Sequence, residues 1–105
     1  MGIEVDTDYD GSGASFMAAI LAVEELAKVD PAVSAVVDVH NTLAVTVIKN
    51  WGTEAQKKKY LPRLATDTVG SICISEAGAG SDAFAMKSNA VKKGAKWVLN
   101  GSKMW

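Results

Sequence analysis

The run Glu76-Ala77-Gly78-Ala79-Gly80-Ser81-Asp82 is the segment best suited to chemistry. Its small residues let backbone N–H groups approach an anion or a flat ring closely. A plain tight connection between two elements would use the same residues. Gly78, Gly80 and Ala83 also fit a loose dinucleotide fingerprint, G-x-G-x-x-G/A, behind a strand. That site needs an acid about 20 positions on to hold a ribose, and a crossover helix. Residues 83–105 contain no acid and read as strands and turns, which excludes it. His40, the only histidine, sits among apolar residues and reads as a core or interface side chain rather than a catalyst. With one histidine and one cysteine, Cys73, the chain has no usual ligand set for a metal and no internal disulfide. Cys73 itself reads as a small strand residue, and Lys57-Lys58-Lys59 as a solvated helix face.

These residues need elements to hold them. The start, residues 1–12, reads as extended chain and then a turn. A first helix is predicted from about Ala14 to Lys28, capped by Ser12 or Ser15, with Phe16, Ile20, Val23 and Ala27 on one stripe and its first half buried on most sides. Asp30-Pro31 is an N-cap followed by a proline that suits the first helical position, so a second helix runs from Pro31 to about Asn50. Its apolar stripe is Val33, Val36, Val37, His40, Leu43, Ala44, Val47, Ile48 and Trp51. Gly52 ends it. Thr53 and Gln56 match a capping box, opening a short helix through Tyr60 that Pro62 stops or bends.

After Asp67 the period changes to two. Ile72 and Ile74 alternate with Ser71, Cys73 and Ser75, which predicts a strand over 69–75. Further strands are predicted over Met86–Val91 and Ala95–Leu99, with a turn at Lys93-Gly94. Asn100-Gly101 signals a hairpin turn and a fourth strand. The order, N-terminal helices followed by the opening strands of an antiparallel β domain, is α+β. The arm after Gly101 has only about four residues, short for a hairpin partner. A truncated chain is therefore expected.

The 105 residues are 49% hydrophobic and 22% charged with a net charge of −1, a globular composition rather than a disordered one. Near-neutrality argues against general nucleic-acid binding. The longest charge-free apolar run, Ala14 to Val23, is shorter than the roughly 20 residues a membrane span needs. Four acids in the first ten residues are unlike a signal or transit peptide. Charge is graded: −7 over residues 1–40, +1 over 41–82 and +5 over 83–105. The C-terminal lysines either line the outer faces of a sheet or form a basic rim for an anionic ligand.

Cys73-Ile74-Ser75-Glu76-Ala77-Gly78-Ala79-Gly80-Ser81-Asp82-Ala83-Phe84-Ala85 resembles the signature of the acyl-CoA dehydrogenase family. Trp51-Gly52-Thr53-Glu54-Ala55-Gln56-Lys57 with Tyr60-Leu61-Pro62 looks like the family's G-T-E-x-Q-K…Y-L-P helix. Leu99-Asn100-Gly101-Ser102-Lys103-Met104-Trp105 looks like its L-N-G-x-K-M-W hairpin. The resemblance spans essentially the whole chain, and the run Val37 to Leu43 is most similar to short/branched-chain members.

The resemblance implies an FAD flavoenzyme that removes two hydrogens from the α and β carbons of an acyl-CoA, is usually a homotetramer, and passes electrons to an electron-transfer flavoprotein in the mitochondrial matrix. Residues 1–66 would be part of a helical N-terminal domain and 67–105 the start of the middle β domain. By position, Ile72, Cys73, Ile74, Ser75, Glu76, Ala77, Gly78, Ala79, Gly80 and Ser81 match the FAD-contacting strand and loop. Ser75 matches the hydroxyl that bonds the flavin, Ser81 a residue that also touches the CoA substrate, and Trp105 the aromatic beside the flavin. The family's catalytic glutamate belongs to a region that this chain does not contain, so no catalytic residue is assigned and inactivity in isolation is expected. The alternative is a non-enzymatic module of the same origin that acts as an interaction partner.

Overall fold

The computed structural model describes residues 1–104 and has the expected α+β order. Helix α1 spans Phe16–Ala27, α2 Pro31–Asp38, α3 Thr46–Trp51 and α4 Glu54–Thr66. Strands β1, Asn89–Lys93, and β2, Lys96–Asn100, form one antiparallel pair. The chain divides into two compact units, the first Met1–Ile72 and the second from Cys73 on.

Helix starts follow local chemistry. Ser15, not Ser12, caps α1 by accepting the Ala18 N–H at 3.3 Å. Asp30 accepts from Ala32 N at 2.9 Å and Val33 N at 3.1 Å, with Pro31 in the first turn. Thr53 and Gln56 complete the capping box: Gln56 N donates to Thr53 Oγ1 at 3.3 Å, and Thr53 N to Gln56 Oε1 at 2.8 Å. Thr53→Ala removes one reciprocal bond and leaves an orphan donor. The expected cost is about 1 kcal/mol, read as a lower urea midpoint at unchanged slope.

Pro62 neither stops nor ends α4, which continues to Thr66. The proline deletes only one donor to the preceding turn. On either side of it Leu61 and Leu64 are buried, and Thr66 Oγ1 bonds the Pro62 carbonyl at 2.8 Å, so packing carries the helix across. The predicted second helix is continuous through Trp51 but contains a π-helical stretch, Val39–Val45. Its consecutive residues His40 and Asn41 are both buried. Asn41 Oδ1 accepts from Ile3 N at 3.1 Å, and Lys49 Nζ donates to the Glu4 carbonyl at 2.9 Å. By length and composition alone, Pro31–Trp51 is long and apolar enough to cross a membrane, which the count of uninterrupted apolar runs missed. Its polar and basic side chains tie it to the N-terminal segment of the same unit.

The first unit's core is Val5, Val45, Leu61 and Leu64, with Tyr9, Ile48 and Ala65 against it. The N-terminal segment folds back through Ser12 N to Gly2 O, Gly13 N to Val5 O and Ala14 N to Ile3 O, which drives Val5 inward. Between these bonds lie a short 3-10 turn, Thr7–Tyr9, and Asp10 in the left-handed region. The buried face of α1 is not the predicted one. Ala19 is buried and Ala22, Val23 and Leu26 are half-buried, whereas Phe16, Met17 and Leu21 are more than half exposed. Likewise Val33, Val36, Leu43, Val47 and Trp51 are exposed. Small residues set this contact: Ser34, buried on α2, donates its Oγ to the Val23 carbonyl at 2.8 Å, which draws the α1 and α2 backbones together.

In the second unit β1 and β2 pair from Asn89↔Asn100 to Lys93↔Lys96. The tight turn is Gly94-Ala95, with Gly94 at φ +61°, one residue later than predicted. The pairing brings Lys93 opposite Lys96, an unfavourable like-charge pair at the exposed tip. Lys92 and Trp97 are cross-strand partners, so the lysines line this ribbon's surface.

Two predicted strands differ. Residues 69–75 are extended but have no ladder, and no fourth strand follows Gly101 among the described residues. A strand exists by its partner's hydrogen bonds, not by alternation alone. What remains of that pairing is one backbone bond, Met104 N to Ser75 O at 2.8 Å.

Candidate functional site

The predicted loop begins with a closed turn. Glu76 N donates to Ala79 O, and Ala79 N to Glu76 O, both at 3.0 Å. Ala77 and Gly78 form its exposed tip, and Ala79 is 2% exposed beneath it. Gly80, Ser81 and Asp82 follow as exposed chain, and a 3-10 turn occupies Ala83–Ala85. Among the described residues, the amides of Ala77, Gly78, Gly80 and Ser81 have no backbone acceptor. A Cβ built at Gly78 or Gly80 would meet nothing within 4 Å. The segment thus offers free donors on an unobstructed surface, which suits a flat, polar-edged group such as a flavin.

Ser75 leads into this turn. Its carbonyl is used by Met104 N, while its hydroxyl has no partner among the described residues. Ile74 is exposed, and Cys73 is an exposed free thiol on unpaired chain rather than on a strand. Ile72 belongs to the first unit, where it lines an open groove with Ala44, Ile48, Leu64 and Gly70. Trp105 lies outside the described residues.

Glu76 is the charged member of the predicted set, and its carboxylate points inward. Oε2 accepts from Lys87 N at 2.8 Å. Oε1 accepts from Ser88 N at 3.1 Å and from Lys103 Nζ at 2.9 Å. The Ser88 hydroxyl dipole, the Lys87 amide and the Lys103 ammonium together hold its pKa down at about 2. Ser88 Oγ acts there as a nearby rotatable dipole, since it is buried without a well-formed hydrogen bond. A carboxylate so satisfied is a poor proton acceptor near neutrality. The turn, Lys87, Ser88 and Gly101 border an open cleft of about 300 Å³.

His40 positions the chain that leads to Ile72. It is fully buried, as expected for a core residue, and its Nδ1 accepts the Gly70 N–H at 2.9 Å. A Cβ on Gly70 would lie 2.7 Å from Ala44 Cβ and 3.0 Å from Leu64 Cδ2, so only glycine passes there without displacement. Lys57 pairs with Glu54 at 3.1 Å and Lys59 lies over the Tyr60 ring, leaving the lysine run on an outer helix face. Sequence reasoning missed the roles of Ser88 and Lys103. Lys103 belongs to the Leu99–Trp105 motif, but no pattern along the chain announces a partner 27 residues away.

Known proteins resemble this chain in sequence and fold. Short/branched chain specific acyl-CoA dehydrogenase, mitochondrial, of Bos taurus is 60% identical over 105 residues, all of this chain and 24% of that protein. Butyryl-CoA dehydrogenase from Megasphaera elsdenii superposes with a TM-score of 0.90 at 37% identity, covering 97% of this chain and 28% of that one. An acyl-CoA dehydrogenase complexed with FAD from Bacillus anthracis gives a TM-score of 0.90 at 33% identity, over 99% of this chain and 18% of that one. The chain spans about a quarter of the length of the curated relatives it matches. The family model described as acyl-CoA dehydrogenase, N-terminal domain, matches residues 1–68, more than half of the sequence, and the chain belongs to the acyl-CoA dehydrogenase family.

Proposed function

We propose that this chain supplies the flavin-contacting segment of an FAD-dependent acyl-CoA dehydrogenase that introduces an α,β double bond into a short or branched acyl-CoA. The observation that carries this reading is the Glu76–Ala79 turn, where among the described residues the amides of Ala77, Gly78, Gly80 and Ser81 have no acceptor and the preceding Ser75 hydroxyl has no partner. FAD, when bound, supplies the two-electron acceptor. Ile72, Cys73, Ile74, Ser75, Ala77, Gly78, Gly80, Ser81 and Trp105 would hold it. Ala79 serves from beneath through its backbone, and Glu76 through the turn it anchors. Ser75 would donate or accept at the ring edge, and Ser81 would also meet the acyl-CoA. Residues 1–66 would form part of the helical domain and 67–105 the opening of the β domain. The mitochondrial name of the bovine relative supports a mitochondrial location; the matrix, and an electron-transfer flavoprotein and further copies of the full-length enzyme as partners, follow from the family resemblance.

The chain's own residues prepare a surface, and neither Glu76 nor His40 is free to act as a proton acceptor there. Glu76 is committed to three donors, and His40 is buried on Gly70. Isolated, the chain is therefore expected to bind flavin weakly and to leave it oxidised when acyl-CoA is added. Titrating FAD into the chain and following flavin fluorescence tests this. Ser75→Ala should weaken a saturable quench about fivefold to tenfold, the value of one hydrogen bond of about 1 kcal/mol. Unchanged affinity in that variant, or no saturable quench, refutes the flavin assignment. Bleaching by acyl-CoA refutes the inactivity.

A second reading has its own support. Phe16, Met17, Leu21, Val29 and Trp51 are 57%, 63%, 52%, 88% and 76% exposed, apolar surface suited to a non-enzymatic interaction partner. A chain that binds no flavin yet self-associates would favour it.

A further inference from the structure

We infer that Glu76 and Lys103 are a positioning pair, a side-chain clamp that fixes Ser75 and the Ala77–Ser81 amides in place of strand pairing. The inference rests on the flavin reading above for its purpose, but its geometry stands alone. Lys103 has three donors and spends two on residues either side of Ser75 and the third on Met86. Nζ reaches the Ile74 carbonyl at 2.8 Å, Glu76 Oε1 at 2.9 Å and Met86 Sδ at 3.1 Å. Glu76 answers by gathering the Lys87 and Ser88 amides. Its side chain is only 8% exposed, and that of Lys103 is 27% exposed.

Ser75 lies between the two residues this clamp holds from either side, Ile74 by its carbonyl and Glu76 by its carboxylate. Met104 N, next to Lys103, takes the Ser75 carbonyl itself. Extended chain without a ladder is ordinarily mobile, because each unfixed residue keeps its backbone entropy. Here charge-assisted bonds, shorter and stronger than neutral ones, replace the ladder at the point where the candidate ligand surface begins. Removing either partner leaves a largely buried charge half satisfied, the situation in which breaking an ion pair costs most. Glu76 is thus a positioning residue: it need not touch a ligand, and it determines where Ser75 and the turn stand.

Glu76→Gln, Lys103→Met and Lys103→Arg in the 105-residue chain test this by two readouts. The first is the ¹⁵N amide spectrum. Both charge-removing variants should shift the amides of Ala77, Gly78, Gly80 and Ser81 and leave those of residues 31–66 in place, and Lys103→Arg should restore them. The second is FAD fluorescence titration, in which Glu76→Gln and Lys103→Met should each weaken affinity at least tenfold and Lys103→Arg less than threefold. If the turn amides do not move, the clamp is refuted, whether or not FAD binds. If they move while FAD affinity is unchanged, the positioning role is refuted and the flavin reading stands. If they move and the parent chain binds no FAD, the clamp is supported and the flavin reading fails. Should a charge-removing variant unfold the second unit, acid titration of the parent decides. The Lys87 and Ser88 amides must then titrate together with Glu76 well below the ordinary carboxylate range, and titration near 4.5 overturns the pair.

Discussion

His40→Ala will destabilise the first unit by about 2–4 kcal/mol, the sum of a cavity where an imidazole was and an orphaned Gly70 N–H. The side chain is 0% exposed, so none of this loss is recovered by solvent. The consequence should be local first. Gly70 is threaded between Ala44 and Leu64, and the His40 Nδ1 bond is what holds it there. Without that bond, hydrogen exchange at Gly70 and the residues just after it should rise before the core opens around Leu61. Urea unfolding and exchange mass spectrometry measure the two effects separately. An unchanged midpoint would refute the buried anchoring role.

The same residue gives a pH dependence with a determined sign. Burial lowers the His40 pKa. The nearby Leu64 carbonyl opposes this, without a formed bond to the unpartnered Nε2, and the N-terminal ammonium adds to the lowering. The folded state therefore binds fewer protons than the unfolded one just below the ordinary value of 6.5. Stability must fall as pH drops through 6.5 and level off once the folded-state pKa is passed. His40→Asn keeps an acceptor for Gly70 without a titrating group, so this slope should vanish. Glu76 contributes at lower pH. Its folded pKa is depressed from 4.5 to about 2, so its contribution is complete above 4.5 and is lost as pH falls toward 2. The two windows lie in different units, and probes placed in each should report them apart.

Helix starts could be read because a cap is chemistry among neighbours. Asp30-Pro31 and Thr53…Gln56 need no knowledge of the rest of the fold. The buried faces could not be read that way, because burial depends on what else is present. Phe16 and Leu21 outrank Ala19 in hydrophobicity, yet a close helix crossing selects Ala19 and Ser34. Pro62 illustrates the same override, its missing donor outweighed by buried Leu61 and Leu64. The Glu76–Asp82 turn was legible as small residues in sequence. Its anchor was not, because Lys87, Ser88 and Lys103 reach Glu76 from other segments. Alternation over 69–75 reported an extended chain correctly and a ladder wrongly, since a ladder requires a second strand in register.

Gly101→Ala should unfold the second unit while leaving the first intact. Asn100-Gly101 reads as a hairpin turn, and the glycine is indeed required, but for another reason. Its φ is +149°, a region L-residues with a side chain rarely adopt. A methyl there would overlap Ser88 Oγ and lie 2.5 Å from Ser88 Cβ and 2.7 Å from its Cα. The last of these is backbone, so no rotamer change relieves it. Backbone strain of about 1–3 kcal/mol adds to overpacking of similar size. A two-stranded ribbon has little stability from which to absorb that. The displaced atom also matters, because Ser88 N is one of the donors that Glu76 gathers. Moving Ser88 loosens the carboxylate, then the Lys103 ammonium, then the turn that carries the candidate ligand surface. The expected spectrum keeps dispersed amides for residues 31–66 and collapses those of residues 75–100 to random-coil positions. FAD quenching should disappear with them. Dispersed second-unit amides in Gly101→Ala would mean that Ser88 can yield, and that the Glu76 cluster is looser than its geometry implies.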